Sequence, residues 1–300
     1  MTRSQKGIAV TVLGGLCWGF SGMVSQHLMK SQGVSPMLLS NLRMMGAGIL
    51  LFLYLTLLAR KQLFQIWSDP PSYKQLLQFS LFGLTFNSIT FLGTIRYTNA
   101  GTATIMQYLS AIIILIGTSV YYRKLPKGRE VIALVFAVIG VYLIATGGKA
   151  GQLAISPLGL AIGLVSAVAL SLYNVIPGKI LAKYGALVVT CWGMIIGGAV
   201  ITVFYQPWNH LPEITGSMLL NIMIVIILGT VIPYALYLKG IHLIGPVKAS
   251  MIIAVEPISA TAFAAIILGT TFTIADLMGF ACIIFSIFFL AERRKKRRSL

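Results

Sequence analysis

Residues 8–28 read IAVTVLGGLCWGFSGMVSQHL, 21 positions without one Asp, Glu, Lys or Arg. As an α-helix this run crosses a hydrocarbon core of about 30 Å, which takes about 20 apolar residues. Arg3 and Lys6 precede it, as basic residues precede the core of a secretory leader. The run is longer than such a core, however, and no A-x-A-like cleavage site follows. It reads as a retained first membrane helix.

Working outward with windows of about 19 residues, nine further spans fall near 37–59, 74–96, 101–121, 129–147, 156–177, 187–205, 218–240, 247–268 and 275–291. The joints carry turn residues: Ser35-Pro36, Asp69-Pro70-Pro71, Gly147-Gly148, Ser156-Pro157 and Gly245-Pro246. No joint is long enough to fold as a domain. Composition agrees: 57% of residues are hydrophobic and 10% charged, and mean hydropathy is +0.90, whereas soluble domains are about 25% charged. A net charge of +17 and a pI near 10.0 would suggest nucleic acid as a partner in a soluble chain. Here the charges sit in the gaps between apolar runs, which excludes that reading. Cys17, Cys191 and Cys282 lie inside the runs without metal-ligand spacing and read as packing residues, with neither a disulfide framework nor a metal site.

The gaps also set a direction. With the N-terminus inside, 19 of the 23 Lys and Arg fall on the inner side, three (Lys30, Arg96, Lys149) fall outside, and Arg43 lies within a span. Basic residues near span ends favour the cytoplasm, so both termini are expected there, in the cell membrane. The run Arg293–Arg298 in the tail 293–300 reads as an orientation signal rather than a lipid site. Lys239 and Lys248 fit the inner interface, and Tyr121, Tyr122 and Trp208 fit interfacial belts.

Sliding the chain on itself by 146 residues superposes spans 3–5 on spans 8–10 without a gap, with Gly83 on Gly229, Ala103 on Ala249 and Glu130 on Asp276. Two units follow, 1–150 and 151–292. Each has five spans, an odd number, so the second enters the membrane upside down. The expected fold is all-α, with ten transmembrane helices in two inverted five-helix repeats around a central cavity. Small-residue spacings such as Gly159/Gly163 and Gly193/Gly197 predict close helix contact.

Four short motifs lie on matching spans: Trp18-Gly19-Phe20-Ser21, Asn41-Leu42-Arg43, Leu228-Gly229-Thr230 through Tyr234 to Leu243-Ile244-Gly245, and Val255-Glu256-Pro257-Ile258. In that order they resemble the EamA-type transporters of the drug/metabolite transporter superfamily. The chain departs from the family pattern at Arg123-Lys124-Leu125-Pro126 and Gly269-Thr270-Thr271, where Gly-Glu is common, and at Ser110-Ala111, where proline is usual. The resemblance implies a secondary transporter that exports an amino acid or similar small metabolite.

A charge at the bilayer centre costs at least about 2.5–3.5 kcal/mol and marks function or a partner. Glu256 lies in the ninth span beside Pro257, which favours a kink. Arg43 lies about two turns into the second span, within roughly 6 Å of Glu256 in depth at about 1.5 Å per residue. Glu256 reads as a site for a substrate amine or a proton, or as a structural acceptor at the kink. Arg43 reads as its partner or as a packing anchor. Cavity-lining candidates are Trp18, Ser21, Gln26, Asn87, Gln107, Tyr108, Tyr173, Asn174, Tyr234 and Tyr237. The amides need a partner or water in lipid, which helix–helix hydrogen bonds would also supply. The tyrosines suit amphipathic or cationic solutes.

Other classes fit less well. His27, His210 and His242 do not cluster, H-E-x-x-H is absent and acids are few, which disfavours a membrane-embedded lipid-processing enzyme. No ring of charges suggests a channel, and no Walker A motif suggests ATP. No cofactor is implied. The expected partners are a small-molecule substrate, the lipid bilayer and protons as a coupling ion, and import of an amine or nucleoside-like solute stays open.

Overall fold

The computed structural model describes residues 2–123, 125–126, 128–149, 151–245, 248–249 and 252–296, with side chains up to Ser286. Lys124, Lys127, Pro246, Arg297 and Arg298, together with the side chains of 293–296 in the basic tail, lie outside that description. Among the described residues, α1 (Arg3–Ser31), α2 (Pro36–Leu58), α3 (Pro70–Tyr97), α4 (Ala100–Tyr121), α5 (Gly128–Thr146), α6 (Pro157–Val175), α7 (Ala186–Tyr205) and α8 (Gly216–Ile244) are long and apolar enough to cross a membrane. Two more apolar helices follow, α9 (Val255–Leu268) and α10 (Ile274–Lys296).

Helices begin where the chain supplies a cap. Ser35 accepts from Leu38 N (3.1 Å), Asn99 from Thr102 N (2.8 Å), Ser156 from Gly159 N (3.0 Å) and Thr215 from Met218 N (3.2 Å). Each fills one of the donors that a first helical turn leaves open. Pro36 and Pro157 stand in the first turn, where proline's missing N–H has no intrahelical acceptor to lose.

The ninth span differs from the expected kinked helix. Ile253 and Ala254 form a turn and α9 starts afresh at Val255, so Glu256 and Pro257 occupy its first turn rather than its middle. The resulting 14-residue helix is too short to count as a span by itself. A similar break divides α4 at Tyr108–Leu109, whose N–H groups reach back three residues to Ile105 O (3.0 Å) and Met106 O (3.1 Å). The two breaks lie within one residue of the 146-residue spacing. Two wide π turns, Phe79–Thr85 in α3 and Ile227–Val231 in α8, end at that same spacing and hold Gly83 and Gly229.

Packing repeats the same exchange. α1 packs on α8 and α9, and α6 packs on α3 and α4; α2 pairs with α7, α4 with α9, and α5 with α10. Swapping the halves returns the same pairs. In the α5–α10 pair a Cβ on Gly140 would meet Gly279 O at 2.8 Å, and one on Gly279 would meet Gly140 O at 2.8 Å, so the two helices touch at backbone distance. Individual contacts obey the exchange as well. In the α2–α7 seam Asn41 Nδ2 donates to Gly198 O (2.9 Å), while Cys191 Sγ donates to Gly48 O (3.7 Å). Gly193 and Gly197 let α7 approach α3, against Phe79 and Thr85, and Gly197 also meets Met44 of α2. The chain is a two-repeat helical membrane fold.

Along α1, Gly7 lies against Leu243 and Ile244, whereas Gly22 and Gln26 lie against Ala100. The α8–α9 and α3–α4 junctions are therefore at opposite ends of the bundle, about 28 Å apart along the helix at about 1.5 Å per residue.

Candidate functional site

Midway between those ends, five helices and one helix break bring seven of the expected side chains together. Trp18 of α1 meets Tyr234 of α8 edge to face, with centroids 5.4 Å apart at 88°, and Tyr237 at 5.8 Å. The hydroxyl of Tyr234 shares a 2.8 Å hydrogen bond with that of Tyr173 on α6, whose ring rests on Phe79 at 5.3 Å. Tyr108, at the break of α4, points its hydroxyl at the Ile253 carbonyl in the break before α9 (3.5 Å). Glu256 is within electrostatic reach of Tyr108, Tyr234, Tyr237 and Arg43.

Trp18, Arg43, Tyr108, Tyr173, Tyr234, Tyr237 and Glu256 are all half-buried although they lie at the centre of the bundle. Central side chains that keep accessible surface line a cavity. Among the described residues the Glu256 carboxylate has no hydrogen-bond partner, and Arg43 Nε donates to Thr230 Oγ1 (3.1 Å) rather than to that carboxylate. Thr230 in turn donates to Val225 O (3.4 Å), across the π turn of α8. The carboxylate beside an aromatic wall can receive a cation, since both ring faces and the acid favour positive charge.

A second, neutral group sits next to it. Gln107 Nε2 donates to Asn87 Oδ1 (2.7 Å) and to Ser166 Oγ (3.0 Å), joining α4, α3 and α6. Three expected residues stand elsewhere. Asn174 is exposed and donates back to Leu170 O of its own helix (2.8 Å). Ser21 is buried in the α1–α8 contact, where a Cβ on Gly229 would lie 1.9 Å from its hydroxyl. Gln26 belongs to the α3–α4 end. Thr230 and Ser166, which hold Arg43 and Gln107, were not singled out from the sequence. Thr230 lies inside the Gly-Thr motif quoted above, whereas Ser166 carried no signal.

Toward the α8–α9 end, outside the spans, Lys183 and Asp69 form a 2.6 Å ion pair that ties the α6–α7 connection to the α2–α3 connection. Tyr184 donates to the same oxygen at 3.2 Å and Ser72 at 2.5 Å. The hydrogen bond from Lys183 holds the Asp69 carboxyl below its usual range, and that from Asp69 holds the Lys183 ammonium above its own.

This arrangement has known counterparts. The model of the EamA-like transporter family matches twice, over residues 5–146 and 157–291. The chain belongs to the EamA-like transporter family. It is 32% identical over 297 residues, 99% of each chain, to YicL, an uncharacterised inner membrane transporter of Salmonella typhimurium. An uncharacterised transporter of Clostridium kluyveri is 26% identical over 212 residues, covering 69% of this chain and 68% of that one. A protein of solved crystal structure superposes with a TM-score of 0.60 at 16% identity, covering 96% of this chain and 98% of the other, and shows the shared fold. The chain is thus a multi-pass membrane transporter of the EamA type, not an enzyme.

Proposed function

We propose that the chain is a secondary transporter that moves a small polar or amphipathic metabolite carrying an ammonium group, an amino acid or a similar solute, out of the cytoplasm by alternating access. The observation that carries this reading is the Glu256 carboxylate, which lies beside Tyr108, Tyr234 and Tyr237 with no hydrogen-bond donor among the described residues. A carboxylate so placed binds either a substrate cation or a proton. Exchange of one for the other couples export to proton entry, with Arg43 supplying a counter-charge for a substrate carboxylate. The 19-to-3 division of basic residues supports cytoplasmic termini and, with them, an α8–α9 junction on the cytoplasmic side. The repeat exchange supports a substrate site between two inverted halves.

Flux of radiolabelled amino acids, amines and nucleosides into proteoliposomes, with and without an imposed pH gradient, tests the reading. A solute whose flux follows the gradient in the parent and ignores it in Glu256→Gln is the expected result. Equal pH dependence in both proteins would reduce Glu256 to a structural acceptor at the start of α9.

A further inference from the structure

The two ends of the bundle are built from corresponding segments but are not equally closed. At the α3–α4 end, Ala100 to Met106 are buried without interruption, as are Leu28 and Met29 of α1. Phe20 meets Phe263 edge to face at 5.5 Å, and Lys30 Nζ donates to the carbonyl of Thr98. At the centre of this seal lies Gln26, 4% exposed. Its Oε1 accepts from Ala100 N (2.7 Å), the first residue of α4, and its Nε2 donates to Thr270 Oγ1 (3.0 Å) in the α9–α10 connection. One α1 side chain therefore binds both halves of the molecule.

Among the described residues the opposite end shows no such group at the matching place; Pro246 and Lys124, the counterparts of Gln26's two partners, lie outside the described residues. Gly7 of α1 lies on the last turn of α8, at Leu243 and Ile244, as Gly159 of α6 lies on the last turn of α3, at Tyr97 and Thr98. The same shift sets Gly178 in the place of Gln26, and glycine has no side chain to bond there. Of the residues described just before α9, Lys248 is exposed and Ile252 half-buried, whereas Ala249 is buried.

We infer that Gln26 is the latch that holds the α3–α4 end of the transport path shut, and that the structure is the state open toward the α8–α9 end. This positioning role rests on the alternating-access part of the function proposed above. Without the latch, the bundle shifts toward the state open at the α3–α4 face.

The test uses the full chain in vesicles, with Cys17, Cys191 and Cys282 replaced and one reporter cysteine added, either Thr102→Cys in the sealed segment or Ile252→Cys at the other end. A membrane-impermeant maleimide is applied to each face in turn. Gln26→Leu is expected to raise labelling of the Thr102 reporter by about tenfold, the shift expected when two net hydrogen bonds are removed. Labelling of the Ile252 reporter from the opposite face falls in parallel. Thr270→Val, which removes one bond only, gives an intermediate change and carries the test alone should Gln26→Leu not fold. Unchanged labelling of the Thr102 reporter in the folded variants overturns the latch. So does a rise there without a fall at the Ile252 reporter, since loosened packing alone would do that. Equal pH dependence of flux in the parent and in Glu256→Gln would remove proton exchange at Glu256 and leave this reciprocity standing.

Discussion

At the α3–α4 end Thr102 and Met106 are 2% and 1% exposed, whereas their counterparts one repeat later, Lys248 and Ile252, are exposed and half-buried; Ala103 and its counterpart Ala249 are buried alike. The first end holds a buried glutamine that bonds both halves; the second carries an ion pair that is partly open to water. A duplicated fold has two equivalent ways to close, and this chain closes them differently. At the α8–α9 end the halves meet through part-buried bonds from Gln75 Nε2 to Ile176 O (2.5 Å) and from Trp192 Nε1 to Leu63 O (2.7 Å). They also meet there through the Asp69–Lys183 pair, which at a wet surface contributes little and is screened by salt. The difference teaches that near-identical helix pairing is compatible with two ends of very different firmness.

The largest test of that contrast is at the point between the ends. Glu256→Gln is expected to weaken binding of a cationic substrate by about 10–100-fold, the size of a lost hydrogen bond to a charged group, and to abolish the pH dependence of flux. Titration of the proteoliposome assay with substrate at two pH values measures both.

Two glycines of the same helix sharpen the comparison by thermal melting. Gly101 lies in the sealed half of α4, where a Cβ would meet Thr261 Oγ1 at 2.5 Å and Thr261 Cα at 3.1 Å. Gly101→Ala is expected to destabilise by about 1–3 kcal/mol, as overpacking does. Gly117 lies in the other half with nothing within 4 Å. Gly117→Ala is expected to be neutral or to stabilise by up to about 1 kcal/mol through helix propensity. Equal effects at the two positions would mean that the ends do not differ in packing.

A smaller effect is expected from Tyr173→Phe, which removes the 2.8 Å bond to Tyr234 and keeps the ring against Phe79. A loss of about 0.5–1.5 kcal/mol follows from one net hydrogen bond, read as a lower melting temperature.

The smallest lies at the ion pair. Asp69 has its carboxyl lowered from 3.8 in the folded chain, so its contribution is present above that value and is lost as pH falls through the still lower folded value. Melting of the parent should therefore drop more steeply than that of Asp69→Asn below the ordinary carboxylate range, and added salt should shrink the difference.

The helical membrane fold was legible because lipid demands long uncharged runs, and the chain crowds its charges into the gaps between them. The site was legible in part. Trp18, Tyr108, Tyr234, Tyr237 and Glu256 announce themselves as aromatic or charged residues within apolar runs. Tyr173 and Asn174 show the limit: adjacent helical residues point about 100° apart, so both could not turn to the same cavity, and nothing in the run chose between them. The break at Tyr108–Leu109 contains neither glycine nor proline, and left no mark in the sequence. Pro257 did hint at an irregularity, but the break falls before it, because proline fits the first turn of a new helix better than the bend of an old one.

The π turns of α3 and α8 have a consequence for aim. Such a turn holds one residue more than a regular helix would, and it rotates everything beyond it relative to what came before. Removing that residue from Phe79–Thr85 would swing Asn87 away from Gln107, and doing the same in Ile227–Val231 would carry Tyr234 off Trp18. Each turn thus acts as a fixed offset in the winding of its helix, and a one-residue deletion there would disarm the site without touching any residue that lines it.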